Sequence, residues 1–407
     1  MKAEVISIGD ELTSGERLDT NSRWLSQQLG DLGIRVLFHT TVGDDLEANV
    51  AAFHAALERV DVVVATGGLG PTADDLTRQS LAAVAGVDLV LDENVLEHIR
   101  SLFASRQREM PARNDIQAMF PSGSLVIPNP HGTAPGIDLR YPRAGQADSR
   151  AFALPGVPAE MKEMWAATVA PSISTMLGNQ QHVIRHRRLK CFGVGKGPLE
   201  QMLPDLIQRG RYPSVGITVH KATITLRVTA REETPEHCLA AMRSTLDSIH
   251  AHLGPLVFGD EDDELQHAVT RALERRQQTL YTVEWGSGGL LADWLTDTRS
   301  PAYAGGMVVN SVATASRFFG EQCATLPERD LARQFAKVSR ERAQTDYTLV
   351  IGRYPEQPGG RVAFGLATPG GVAVISSARF AIANPDILKE RNIKQALDWL
   401  RLKLLTA

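Results

Sequence analysis

Residues 61–75 read Asp-Val-Val-Val-Ala-Thr-Gly-Gly-Leu-Gly-Pro-Thr-Ala-Asp-Asp. The apolar run predicts a strand. Gly67, Gly68 and Gly70 after it predict a turn, held also by Pro71 and Thr72, that lets backbone N–H groups approach an anion. The following ADDLTRQSLAAVAG predicts a helix whose positive end faces the same point. Asp74 and Asp75 stand where a divalent cation would bridge to phosphate oxygens, since hard cations prefer carboxylate ligands. The same residues also fit a plain strand-to-helix turn with Asp74 or Asp75 as N-cap. Spacing excludes two other phosphate motifs. Ala73 stands where a dinucleotide fingerprint needs its last glycine, and no Gly-Lys-Ser/Thr follows for a P-loop.

Around this stretch the pattern alternates. VISI at 5–8 predicts a strand, residues from Asp19 past Leu29 a helix, VLFHTTV at 36–42 a strand, and Leu46 to Arg59 a helix. That rhythm marks an α/β fold with a mostly parallel sheet covered by helices, which binds ligands at the carboxyl ends of its strands. Acids follow those ends. Gly9-Asp10-Glu11 and Gly43-Asp44-Asp45 come after strands, and Asp19-Thr20-Asn21 opens a helix. Singly, each fits a helix cap or an exposed turn. Together with Asp74 and Asp75 they crowd carboxylates at one end of one sheet, and crowded carboxylates repel unless a cation intervenes. Two stiff loops join them: Asn129-Pro130-His131-Gly132-Thr133-Ala134-Pro135-Gly136, and Leu154-Pro155-Gly156-Val157-Pro158-Ala159-Glu160-Met161. Their prolines and glycines can preset amides and hydroxyls around a ligand, and Pro158 suits the first turn of a helix.

From about residue 180 the pattern changes. VIRHRRLKCFGV predicts a strand, KGPLEQMLPDLIQRG a helix, VGITVHKATITLRVTARE a hairpin and TPEHCLAAMRSTLDSIHAHLG a helix, which makes a small α+β domain. His182 and His186 have a helical zinc spacing but lie in a strand-like stretch, which favours a structural or surface role. A third unit from Glu261 alternates again, with strands expected near 279–285, 305–309, 347–351, 361–367 and 371–377. Expected helices are 262–277, about 290–297, one after Pro327 and one from Pro385.

With 407 residues the chain suggests two or three domains. A formal net charge of −4 gives no basic footprint, so nucleic acid is not favoured as a partner. The three cysteines, Cys191, Cys238 and Cys323, are too scattered for a disulfide framework or a Cys-x-x-Cys metal site. With no signal-peptide pattern and no apolar run of membrane-spanning length, the expectation is a cytoplasmic protein away from membranes.

The motifs GDELTSGERLDTNSRWL, TTVGDD, TGGLGPTADDLT, MPARNDIQAMFP, NPHGTAPG and LPGVPAEM, in this order, resemble those of the competence/damage-inducible protein CinA family. The resemblance covers essentially the whole chain. It implies a molybdopterin-binding-like αβα sandwich at 1–172, a KH-like domain at 180–254, and a domain related to nicotinamide mononucleotide deamidases at 261–407. For the first domain it implies a metal-dependent pyrophosphatase acting on ADP-ribose or a similar nucleotide diphosphate. Asp10, Asp45, Asp74 and Asp75 are then candidate catalytic groups, with Asp10, Asp45 and Asp75 holding a divalent ion such as Mg, Mn or Co. Candidate substrate contacts are Gly67, Gly68, Gly70, Pro71, Thr72, Asn21, Asn129, Gly132, Thr133, Gly156, Pro158 and Glu160. Molybdopterin-type nucleotidyl transfer and a nucleotide-binding scaffold without turnover are the alternatives.

The deamidase relatives carry Glu-Ser-Cys-Thr-Gly-Gly after a strand, with serine as nucleophile, whereas this chain has Glu284-Trp285-Gly286-Ser287-Gly288-Gly289. An indole supplies no attacking oxygen. The family's tyrosine and lysine positions fall near Asn310 and Ala315, and its glycine loop is replaced by Ile351-Gly352-Arg353-Tyr354-Pro355. Deamidation is therefore expected to be absent, and the domain to persist for regulation or for assembly of a homo-oligomer such as a dimer. Gly288 and Gly289 are expected to serve close strand-to-helix packing.

Overall fold

Val62, Val63 and Val64 are all fully buried because their strand runs through the middle of a sheet covered on both faces. The computed structural model describes residues 1–178, 182–355, 360–377 and 385–406. Residue 180, where the middle domain is expected to begin, lies outside the described residues. The chain divides into two compact units, Met1–Arg185 with Ala230–Ala240, and His186–Thr229 with Ala241–Ala407.

In the first unit the strands are β1 (Lys2–Ile8), β2 (Arg35–Val42), β3 (Val62–Thr66), β4 (Leu89–Leu91), β5 (Met119–Pro121), β6 (Leu125–Ile127), β7 (Gly136–Tyr141) and β8 (Ser149–Leu154). Six of them form one sheet in the order β2-β1-β3-β8-β7-β6. β2, β1, β3 and β8 run parallel, and β7 and β6 add antiparallel partners at one edge. The two-residue period divides the core. Ala3, Val5, Val62 and Val64 pack with Leu25, Leu29, Met161 and Trp165. Ile6, Ile8, Val63 and Ala65 pack on the other face with Phe53, Leu57 and Leu81. This is the expected αβα sandwich.

Two expectations fail locally. The helix after the glycine turn starts at Thr77 rather than near Ala73, and its N-cap, Leu76, has no side-chain cap bond. Asp74 and Asp75 are therefore not its N-cap. In the middle segment the first helix covers only Lys196–Met202, because Pro204 drives Leu203 out of helical geometry.

The middle segment has β9 (Val183–Cys191), β10 (Ser214–His220), β11 (Thr223–Glu232) and β12 (Val257–Asp260), in the order β10-β11-β9-β12. The strand β12, absent from the sequence reading, pairs antiparallel with β9. The C-terminal sheet has β13 (Leu280–Glu284), β14 (Tyr303–Val308), β15 (Tyr347–Ile351), β16 (Ala363–Thr368) and β17 (Gly371–Ser376), in the order β14-β13-β15-β16-β17. These two segments share a core. Phe192 and Phe258 cluster with Leu265, Leu349 and Leu397, and the buried Lys394 Nζ donates to Thr223 Oγ1 (2.7 Å) and pairs with Glu264 (3.0 Å). Among the described residues no helix is long and apolar enough to cross a membrane.

Candidate functional site

Register brings the strand ends together. Ile8 pairs with Val42, Ser7 with Thr66, and Thr66 with Leu154, so all four parallel strands stop at one level. The residues that follow them form the rim of a cleft of about 460 Å³. Of the predicted residues, Gly67, Gly68, Gly70, Pro71, Asp74, Asp75, Thr133, Gly156 and Glu160 line it. Glu11, Arg17, Asp44 and Gln117 join them. A smaller recess, sharing Ile8, Glu11, Arg17, Gly67 and Gly156 with the cleft, reaches Asp19 and Asn21.

The turn is built by its glycines and closed by one carboxylate. Gly67 has φ +108°, and a Cβ there would run into the Ile8 carbonyl. Gly67 N–H is spent on the Leu154 carbonyl (3.0 Å). Asp75 Oδ1 accepts from Gly70 N–H (2.7 Å), and its Oδ2 accepts from Thr72 N–H (2.9 Å) and from the Thr72 hydroxyl. These bonds fold residues 70–75 into a turn of their own and delay the helix. Thr77 N–H, at the helix start, goes to the Gly68 carbonyl (3.2 Å).

Beneath the turn lies a charge the sequence reading missed. Arg78 is fully buried; its Nη2 donates to the Leu69 carbonyl (2.8 Å) and its Nη1 to the Gly70 carbonyl (3.4 Å). Burial lowers its pKa to about 10, against the pull of Asp75, so it stays charged at neutral pH. The signal available was a cation on the helix face that also carries Thr77 and Leu81.

Asp10 and Asp44 exchange bonds: Asp10 N–H donates to Asp44 Oδ2 and Asp44 N–H to Asp10 Oδ1, both at 3.0 Å. Burial pushes the Asp44 carboxyl up, the Asp10 amide pulls it back, and the charges of Asp10, Asp74 and Glu11 add to the upward push. Asp45 goes elsewhere. Its Oδ1 accepts from Ala48 N–H (2.8 Å) as N-cap of the helix Leu46–Arg59, so Asp44 and not Asp45 belongs to the cleft. The acid directly before a helix start is the one capping geometry selects. Among the described residues, no three His, Cys, Asp or Glu side chains are grouped so that they could hold a metal ion, so Asp10, Asp45 and Asp75 form no ready-made cage.

The other predicted residues act from behind the lining. Asn21, at the start of the helix Thr20–Asp31, donates from Nδ2 to Thr66 Oγ1 (3.1 Å) and the Gly156 carbonyl (2.9 Å), tying the helix to the ends of β3 and β8. Asn129 Oδ1 accepts from Gly132 N–H (2.9 Å), and its Nδ2 donates to Glu160 Oε2 (2.7 Å), which fixes the loop carrying Thr133. Pro158 opens the helix Pro158–Met164, as expected of its fixed φ.

The C-terminal domain has its own strand, glycine turn and helix, and there the space is filled. Trp285 stacks on Phe335 with ring centroids 5.7 Å apart and planes 7° apart, and the Arg353 guanidinium lies 4.0 Å over the Trp285 ring. The Tyr354 ring occupies the place a Cβ at Gly286 would need. Glu284 is buried, accepting from the Ser287 hydroxyl (2.6 Å) and from Leu291 (3.0 Å) and Ala292 (2.8 Å) N–H. Gly288 and Gly289 have φ +68° and +91°. An added Cβ would meet nothing within 4 Å at Gly288, and at Gly289 only Val308 Cγ2, at 3.4 Å. Positive φ, rather than the expected close packing, is what selects glycine there.

Comparison with known proteins agrees with this layout. Residues 4–175 match the model of a probable molybdopterin binding domain, 186–259 that of the damage-inducible protein CinA KH domain, and 262–404 that of the CinA C-terminal domain. A putative competence-damage inducible protein of Caldicellulosiruptor bescii is 33% identical, covering 100% of both chains. A CinA-like protein of Frankia casuarinae is 35% identical over 99% of this chain and 96% of its own. Among solved structures, the protein CinA with unknown function from Thermoplasma acidophilum is 34% identical, with a TM-score of 0.38 over 42% of this chain and 96% of its own. On its sequence, over its whole length, the chain belongs to the CinA family of competence-damage inducible proteins.

Proposed function

We propose that the N-terminal domain hydrolyses a nucleotide diphosphate such as ADP-ribose with the help of a divalent metal ion. The observation that carries this reading is the lining of the cleft. Glu11, Asp44, Asp74, Asp75 and Glu160 surround a glycine turn, with Arg17 as the cation among the lining residues. So acidic a cleft repels a bare diphosphate and suits one whose charge a cation has already offset. Mg-type ions are commonly bound by one or two carboxylates together with substrate oxygens, which fits a site without a ready-made cage. When bound, the ion would neutralise charge on the diphosphate.

Asp44 and Asp74 are the residues we assign to that ion, with Asp10 holding Asp44 in place through their paired amide bonds. Gly70 and Thr72 N–H are preset donors for phosphate oxygens once Asp75 yields them. Asn129 and Glu160 hold the facing loop. Water forms the new bond to phosphorus, the bridging P–O bond breaks, and the proton ends on the released phosphates as AMP and ribose phosphate.

The C-terminal domain, in this reading, has lost nicotinamide mononucleotide deamidation and serves regulation or assembly of a homo-oligomer such as a dimer. Ser287 does not replace the missing nucleophile, because it is buried and the carboxylate it donates to, Glu284, is itself held by the Leu291 and Ala292 amides. Size-exclusion chromatography with light scattering, on the full chain and on a chain cut before Glu261, tests the assembly role.

The deciding experiment is a panel of ADP-ribose, other dinucleotides and nucleotide sugars with Mg, Mn and Co, scored for AMP release. Adenylation of a pterin phosphate instead would favour nucleotidyl transfer. Thermal stabilisation by ADP-ribose without product would favour a binding scaffold. No turnover with any of the three metals would end the hydrolase reading.

A further inference from the structure

The peptide unit joining Leu69 to Gly70 is clamped from both sides. Its carbonyl accepts from Arg78 Nη2 at 2.8 Å below the turn, and its N–H donates to Asp75 Oδ1 at 2.7 Å on the cleft side. Because a peptide is planar and trans, fixing the carbonyl toward Arg78 fixes the N–H in the opposite direction. The next carbonyl, of Gly70, also meets the guanidinium at 3.4 Å, and Pro71 contributes no N–H. Gln117 Nε2 reaches the Leu69 carbonyl at 3.4 Å, supported by Asn114 at 2.8 Å, and both residues are buried. Arg78 itself has no exposed surface, and its Nε has no hydrogen-bond partner.

A buried guanidinium is costly where its donors are not all used, so packing alone does not explain it. The opposite charge acting on it is that of Asp75, a side chain lining the cleft. Resting on the hydrolase reading above, we propose that Arg78 is a positioning residue for the diphosphate. It holds the Gly70 N–H toward the cleft and supplies, from beneath the turn, positive charge beyond that of Arg17 on the rim. In this account Asp75 occupies the anion position between turnovers, and a phosphate oxygen takes over its bonds to Gly70 and Thr72. Arg78 touches no substrate; it acts through the Leu69–Gly70 peptide.

The test uses the full chain with R78K and R78Q, measuring ADP-ribose affinity by calorimetry, KM and kcat for AMP release, and the thermal midpoint of each. R78Q keeps a donor but loses the charge, and is expected to raise KM and Kd at least about tenfold with kcat within about threefold. R78K keeps the charge but not the fork that spans the Leu69 and Gly70 carbonyls, and is expected to raise KM about three- to tenfold, less than R78Q. A folded R78Q with wild-type KM overturns the proposal. So does a folded R78K whose loss falls on kcat with KM unchanged, a result that stands even if R78Q fails to fold. Wild-type protein that neither binds nor cleaves ADP-ribose would remove the hydrolase reading and this inference with it. An active wild type with an unaffected R78Q removes this inference alone.

Discussion

Two strand–glycine turn–helix units in this chain end in opposite ways. After β3 the turn Gly67–Thr72 opens on a cleft, and the carboxylate that closes its amides, Asp75, lines that cleft. After β13 the turn Trp285–Gly289 is covered by Phe335, Arg353 and Tyr354, and its carboxylate, Glu284, is sealed inside on the amides of Leu291 and Ala292. Both carboxylates satisfy backbone donors. Only the one at the cleft can exchange them for a ligand, because displacing a buried, bonded carboxylate strands both charge and donors without water. Glycines at a strand end thus mark a possible site, and burial decides whether it remains one.

The sharpest way to break this comparison is to remove the acids on the open side. Asp74→Ala or Asp44→Ala should each lower kcat/KM for AMP release by about 100-fold or more, while the thermal midpoint stays near that of wild type. Retained activity in both would show that the open turn is no more functional than the closed one.

A smaller effect is expected on the closed side. Trp285→Ser introduces a hydroxyl after β13, at the position the proposed function reads as a lost nucleophile, but it removes the ring between Phe335 and Arg353. We expect a loss of about 2 kcal/mol in chemical denaturation and no nicotinate mononucleotide formed from nicotinamide mononucleotide. Appearance of that product would mean that the plug alone had silenced the site.

The smallest effect separates structural from functional acids within the first domain. Asp19 caps the helix Thr20–Asp31, accepting from Ser22 N–H (2.9 Å) and the Ser7 hydroxyl (2.6 Å). Burial raises its pKa, but the Ser22 and Ser7 bonds outweigh this and the net shift is downward. A carboxyl with a lowered folded pKa adds stability above its unfolded pKa, near 3.8, and loses it as pH falls through the lower folded value. Asp19→Ala should therefore cost about 1 kcal/mol at pH 7, and the difference from wild type should shrink below about pH 4. An equal cost at pH 3 and pH 7 would assign the cap to neutral contacts.

Much of this was legible beforehand, for identifiable reasons. The helix Leu46–Arg59 and the strands β13, β15, β16 and β17 fall where their apolar residues put them: the helix buries one face, and β13, β15 and β16 are buried almost throughout. The helix after the glycine turn was not, since Asp75 reaches back to Gly70 and Thr72 and no local propensity reports that bond. Asp44 and Asp45 are neighbours of identical chemistry. Only the helix start at Leu46 separates their roles, by turning one into a cap and leaving the other beside Asp10.

The sequence by itself determined the alternating layers, the glycine turn and the tryptophan at position 285, because these depend on residue type and spacing along the chain. Tertiary structure alone decided that four strands end at one level, that Arg78 lies under the turn, and that Trp285 is stacked shut. The physical reason is that each of these depends on register or burial among residues distant in sequence, and so on packing that no single segment specifies.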